Sequence, residues 1–194
     1  MKGVLAALLV CAAFMCSYAQ GAKLNFEKDA NGDPIIAPCR LTDEYAAWGI
    51  VFDPTTQVLE HSVPSDLNSP PNCIFPDQGV DDGLTLDAHF VLPGSPSTNG
   101  TVTWVEFFQD RGAQSGGGTF VAYDLSNNVV INEPFNGSGE TFRWDYAGGI
   151  HRIYIGHCYD GIDDLAFGPV VPEPATLSLL IIGGAALLRR RRQR

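Results

Sequence analysis

The chain has 194 residues, 45% of them hydrophobic, and 22 acidic side chains against 12 Lys and Arg give it a formal charge of −10. Such an acidic surface repels phosphate backbones and anionic lipid headgroups; it excludes a nucleic-acid partner and suits solubility, divalent cations or a neutral or cationic matrix. Setting the two terminal segments aside, the length predicts one domain with a substantial core.

Residues 1–19 carry one early charge, Lys2, then an apolar stretch from Val4 to Met15, then Ser17-Tyr18-Ala19. This order predicts a secretory signal helix removed by signal peptidase after Ala19. Cys11 and Cys16 follow Val10 and Met15 instead of a small residue, so lipid attachment is not expected. With both termini removed, Lys23, Lys28, Arg40, Arg111, Arg143 and Arg152 face 21 acids, and the body lies near −15. An exported body permits disulfides, and Cys39, Cys73 and Cys158 remain in it. A Cys39–Cys73 bridge would close a loop of about 35 residues and add ~3–4 kcal/mol. The alternative is three reduced, buried thiols. No Cys/His spacing predicts zinc.

The body, residues 20–170, has almost no helix signal. Runs of β-branched and aromatic residues alternate with Gly, Asn, Pro and Asp, and predict strands at 24–27, 46–52, 84–92, 101–109, 119–124, 129–132, 140–145, 150–156 and 162–167. Asn127-Asn128 after Ser126 reads as a hairpin turn. Leu86, Ala88 and Phe90 share one face of their strand, as do Ile153 and Ile155 of theirs; one buried and one wet face is a sandwich pattern. Residues 101–109 are apolar on both faces (Trp104 and Phe108, Val105 and Phe107), which predicts a central strand. Residues 55–80 are proline-rich without strand periodicity and read as a long surface excursion. The expected fold is all-β, an antiparallel two-sheet sandwich. Trp48, Trp104, Trp144, Tyr146 and Tyr159 are the aromatics available to stack on sugar rings; most are expected in the core, and Trp144 and Tyr146, which share a face beside a Gly148-Gly149 turn, form the expected exposed pair.

The tail, residues 171–194, joins Pro172-Glu173-Pro174 to an apolar run from Ala175 to Leu188 and to Arg189, Arg190, Arg191, Arg192 and Arg194. As a short hydrophobic helix the 14-residue run spans ~21 Å, less than the ~20 residues of a permanent span. The arginines extend its reach by snorkelling and form a basic membrane stop on the cytoplasmic side. The prolines hold the entry segment extended and delay the helix. A marginal anchor behind a rigid tripeptide suits a processing enzyme.

These three parts, in this order, resemble the PEP-CTERM sorting signal. The resemblance implies an exosortase, a membrane-embedded cysteine protease, as partner, with Pro172, Glu173 and Pro174 as the sorting motif. The body shows related character. Leu24-Asn25-Phe26-Glu27, Tyr45 with Gly49-Ile50-Val51-Phe52, Phe120-Val121-Ala122-Tyr123-Asp124 and Gly161-Ile162-Asp163-Asp164-Leu165-Ala166-Phe167-Gly168 are similar to the jelly-roll ectodomain that accompanies such tails, itself similar to carbohydrate-binding modules. That resemblance implies one structural Ca²⁺ between the first and last strands, held by Glu27, Asp163 and Asp164. The alternative is that Asp163-Asp164 ends a turn and caps backbone amides. The acidic stretches 29–33 and 77–83 lack the full calcium-loop pattern and read as turns.

No GxSxG, HExxH, P-loop or His/Cys cluster occurs. Glu106 and Asp110 have the chemistry of a glycosidase couple, but acids are abundant in this chain and two in one strand region carry little weight. The expected function is therefore a non-enzymatic exported protein. It is held transiently at the inner membrane, then sorted to the cell surface or an exopolysaccharide matrix. A glycan-binding module or adhesin, with extracellular polysaccharide as partner, and a secreted hydrolase are the alternatives.

Overall fold

A computed structural model describes residues 21–74, 85–111, 118–137, 139–156, 158 and 161–172. Every strand pairing is antiparallel. The strands are β1 (Ala22–Leu24), β2 (Cys39–Arg40), β3 (Ile50–Phe52), β4 (Gln57–Glu60), β5 (Asn72–Ile74), β6 (Leu86–Leu92), β7 (Ser95–Gln109), β8 (Gly118–Tyr123), β9 (Val129–Phe135), β10 (Thr141–Ile150), β11 (Arg152–Gly156), β12 (Ile162–Phe167) and β13 (Val171–Pro172). Their order is β2-β4-β5-β12-β7-β6-β11-β8-β9, with β1 on β12, β3 on β6, and β10 and β13 on β7. The fold is all-β, as the sequence predicts. Among the described residues no helix is long and apolar enough to cross a membrane.

The 15-residue β7 organises the molecule. Its second half is clasped between β10 and β12, and its first half meets β6 and β13. That explains a strand apolar on both faces: Val105 and Phe107 are fully buried, and Phe108 is nearly so beneath Arg111, whose guanidinium lies 5.2 Å from its ring. Among the described residues, the largest aromatic cluster joins β7, β8, β9 and β10. Phe120 stacks on Trp144 at 4.1 Å, and Phe107 meets Phe135 edge-on at 5.0 Å. Farther along, Phe90 of β6 touches Phe167 of β12 at 5.0 Å. Each such side chain contributes ~1.5–3 kcal/mol by leaving water.

Three local expectations are corrected. Residues 55–80 are not strandless: β4 and β5 pair with one another, and β5 pairs with β12. Cys73 and Ile74 are fully buried there, so three or four ordered residues suffice where the flanking prolines hide any periodicity. Gly148 and Gly149 lie inside β10, not in a turn; the register shifts between Asp145 and Ile150, and Gly149 takes φ +93, a bulge conformation open to glycine. Residues 46–52 divide into a 3-10 turn, Ala46–Trp48, and β3, with Gly49 at φ +100 between them. The expected hairpin turn is present: Asp124 accepts the N–H of both Ser126 and Asn128, and Asn127 is left-handed at φ +61.

Candidate functional site

Two consecutive carboxylates would ordinarily point to opposite faces of a strand. In β12 they do not, because one extra residue lies between the Asp163↔Phe108 and Ala166↔Glu106 pairs. Asp164 absorbs the bulge at φ +53, a conformation that Asp tolerates better than most residues. Both side chains consequently reach Ser69. The Ser69 Oγ lies 2.9 and 3.0 Å from the Asp163 oxygens and 2.7 Å from Asp164 Oδ1. Its single proton can serve only one of them. The Ser69 N–H donates to Asp163 Oδ2 at 2.8 Å, and Lys23 Nζ sits 2.8 Å from Asp164 Oδ2. Burial, with a smaller push from Asp164, raises the Asp163 carboxyl to about 6, against the pull of the Ser69 hydrogen bonds.

This cluster forms one wall of an open groove of about 700 Å³. Asp164, Ser69 and Asn68 lie on one side, Lys23 and Asn25 come from the β1 segment, and the 28–32 turn and Trp48 complete it. The turn is set locally: Asp29 accepts the N–H groups of Asn31 and Asp33, each at 2.8 Å, and these bonds hold its carboxyl below the usual range despite a desolvation cost. Trp48 is 37% exposed, its ring resting on buried Tyr45 at 5.6 Å. Lys23 and Lys28, the only lysines besides Lys2, both line the groove.

The expected calcium ligands are not gathered into one set. Glu27 turns its Oε1 to the Asn72 N–H at 2.8 Å, where desolvation raises its carboxyl above the ordinary range, and Asp164 is taken by Lys23. Among the described residues no group of three or more His, Cys, Asp and Glu is placed to hold a metal. Residues 77–83 lie outside the described residues.

The expected stacking pair is corrected. Trp144 is only 8% exposed; it is stacked on Phe120 and donates its Nε1–H to Glu133 Oε2 at 3.1 Å. Tyr146 packs partly buried against the same core. Phe142 and Trp144 face inward because, ahead of the bulge, they pair with the buried Phe107 and Val105 of β7, and Tyr146 packs on the same side. The Cys39–Cys73 bridge is likewise corrected: both are free thiols. Cys39 pairs with Val58 and Cys73 with Leu59, so β4 runs between them. Two strand spacings are ~10 Å, beyond the reach of a disulfide. Burial, reinforced by Asp163, pushes the Cys73 thiol far above its usual range.

Glu106 and Asp110 do not form a facing pair. Asp110 is buried, accepting the Gly161 N–H at 2.7 Å and meeting His61 Nε2 at 3.0 Å, whereas Glu106 lies at the surface beside Arg143. Of the residues expected to form the sorting motif and basic stop, Pro172 is described, in β13; Glu173, Pro174, Arg189, Arg190, Arg191, Arg192 and Arg194 lie outside the described residues, as do residues 1–20.

Sequence reasoning missed the groove itself. Its one legible signal is the pair of lysines close together in an otherwise lysine-free body; Ser69 and Trp48 reach it only through the fold.

No protein-family model and no curated protein matches the chain. Several solved structures are similar. A cleaved adhesin domain of Lys-gingipain from Porphyromonas gingivalis is 17% identical over 76% of this chain and 97% of its own, with a TM-score of 0.35. A Streptococcus pneumoniae fucose-binding module is 14% identical over 76% and 96%, with a TM-score of 0.33. A family 29 carbohydrate-binding module is 13% identical over 77% and 92%, also at 0.33. Likenesses this loose assign the chain no ligand and no family.

Proposed function

We propose that this chain is a non-enzymatic exported protein, sorted to the cell surface or its matrix by a PEP-CTERM-like tail, whose β-domain binds neutral polysaccharide in the Trp48 groove. The observation that carries the binding reading is the groove's composition. A part-exposed indole offers a flat apolar face to the C–H side of a sugar ring, and Asn25, Asn68, Ser69 and Lys28 surround it with donors and acceptors for hydroxyls. The remaining carboxylates there are already engaged by Lys23 and by backbone amides, so a neutral ligand meets little unpaired charge. Contacts such as Phe90 with Phe167 and Phe107 with Phe120 join the β6–β8 side to the β7–β12 side, which supports a two-sheet jelly-roll arrangement.

The calcium expected from resemblance does not enter this reading. Glu27 is directed to Asn72 and Asp164 to Lys23, and calcium wants six to eight free oxygens.

The binding test is a glycan array on the purified protein, compared with Trp48→Ala. Loss of stacking should weaken binding ~10-fold or more, at the ~1–3 kcal/mol typical of an aromatic platform; wild-type protein that retains no polysaccharide sinks the reading. The sorting test replaces Pro172, Glu173 and Pro174 by alanine. A full-length, membrane-held species should accumulate, and unchanged size and location would overturn exosortase processing.

A further inference from the structure

Leu86, Ala88 and Phe90 of β6 enter the core, so His89 stands on the opposite face of the strand, half-buried. His151, the single residue between β10 and β11, stands beside it. The two ring centres are 6.1 Å apart and the rings are tilted by 56°. Backbone pairing fixes both residues. His89 lies between Val51 of β3 and Arg152 of β11. His151 donates its N–H to the Tyr123 carbonyl at 2.8 Å and accepts the Phe90 N–H at 2.7 Å. The two imidazoles are therefore presented by paired backbone, as a precise site requires.

The ring nitrogens are available for a ligand. His151 Nδ1 lies 2.9 Å from the Gly100 carbonyl oxygen. A carbonyl only accepts, so in the neutral ring the proton is on Nδ1 and Nε2 keeps its lone pair. Metal-binding histidines make this same kind of bond, which fixes the tautomer and strengthens the other nitrogen as a donor. Among the described residues nothing hydrogen-bonds the His89 ring. An ion bound ~2.1 Å from a ring nitrogen stands ~3.2 Å from that ring's centre, so two rings can share one ion with centres up to ~6.4 Å apart. The observed separation lies inside that limit. Asp53 and Asp87 bring negative charge toward His89, and the nearby Arg152 is already paired with Asp87.

We propose that His89 and His151 together bind one exchangeable transition-metal ion of the class that prefers imidazole, Cu²⁺ most tightly and Zn²⁺ less so. Imidazole suits these ions, whereas Ca²⁺ takes oxygen, and affinity at such sites peaks at Cu²⁺. Two protein ligands are fewer than the four of a closed structural site, so water fills the other positions. No third His, Cys, Asp or Glu completes the set among the described residues, which makes the ion exchangeable and the fold independent of it. The site shares no residue with the Trp48 groove and rests on neither the glycan reading nor the sorting reading.

The test is a Cu²⁺ titration of the purified full-length chain in detergent, without a polyhistidine tag and with glycine as competing chelator. One ion should bind per chain, and its electron paramagnetic resonance spectrum should show coupling to two imidazole nitrogens. His89→Ala and His151→Ala should each weaken binding at least ~10-fold, since even a lost outer partner of a ligand costs that much. Zn²⁺ should displace the copper only in excess, and Ca²⁺ should displace none. Near-UV circular dichroism checks that the variants fold; if His151→Ala does not, His89→Ala and the nitrogen count of the wild type decide the matter. A wild type without a one-to-one site, a spectrum with fewer than two imidazoles, or copper held equally well by His89→Ala overturns the proposal.

Discussion

Asp163 is fully buried in a strand, hydrogen-bonded to Ser69 and adjacent in sequence to a second buried acid. Its carboxyl is raised from 3.8 to about 6, chiefly by loss of water. The native state thus binds more protons than the unfolded chain between those values, and this residue's contribution to stability falls as pH rises through that window. Above it, the native fold carries a buried carboxylate at a cost of roughly 2–3 kcal/mol. Asp163→Asn removes the charge and keeps an acceptor for the Ser69 N–H. Other carboxylates move the opposite way: hydrogen bonds to Thr55 hold Asp53 low. The informative quantity is therefore the difference between variant and wild type. Urea midpoints in EDTA should show Asp163→Asn gaining on wild type from pH 4.5 to 7.5 and levelling above; a flat or falling difference would refute the assignment. The sequence shows Asp163-Asp164 as an acidic pair, but not that a bulge turns both toward Ser69, 94 residues away for Asp163. Trp48 was legible as one candidate aromatic among several, with nothing local to mark it as the exposed one.

At the level of elements, strands with an alternating or doubly apolar pattern were readable, and their roles followed. Residues 101–109 fall in the central β7, and Leu86, Ala88 and Phe90 are buried together in β6. The elements that escaped are short and make their pairing far away. β2 is two residues long, and β5 is buried because β4 and β12 cover it, not because of its own periodicity. Gly148-Gly149 misled for a related reason: the dipeptide signals a turn locally, yet here it gives β10 the slack to pair with β7 from Thr141 to Ile150. Trp144, ahead of that slack and opposite buried Val105, joins the Phe107, Phe120, Phe135 and Phe142 cluster instead of facing solvent. Arg143, on the opposite face, lies 4.2 Å over the Trp104 ring and bonds Asp145, so the outer side of the same strand is ordered by charge.

Across the whole molecule, the first and last parts of the body depend on each other. β1 pairs with β12 through Ala22↔Phe167 and Leu24↔Leu165, and β12 also contacts β5 and β7. Every residue of β12 is buried. Such long-range closure costs chain entropy before it is repaid, so folding waits for the C-terminal strand. In a chain made from the N-terminus, the body cannot close until residues 162–167 have been made, only a few residues ahead of the apolar run that begins at Ala175. A chain ending at residue 161 would expose Leu24, Phe90, Val105 and Ile74 along the empty β12 slot. Losing the burial of Ile162, Leu165 and Phe167 alone removes ~5–9 kcal/mol, comparable to the total stability of an ordinary domain. The expected outcome is that the chain ending at 161 gives no cooperative urea transition and no near-UV circular dichroism, while one ending at 172 gives both. A native-like transition in the shorter chain would show that β7 and β1 hold together without β12, and that the fold closes before its C-terminal strand arrives.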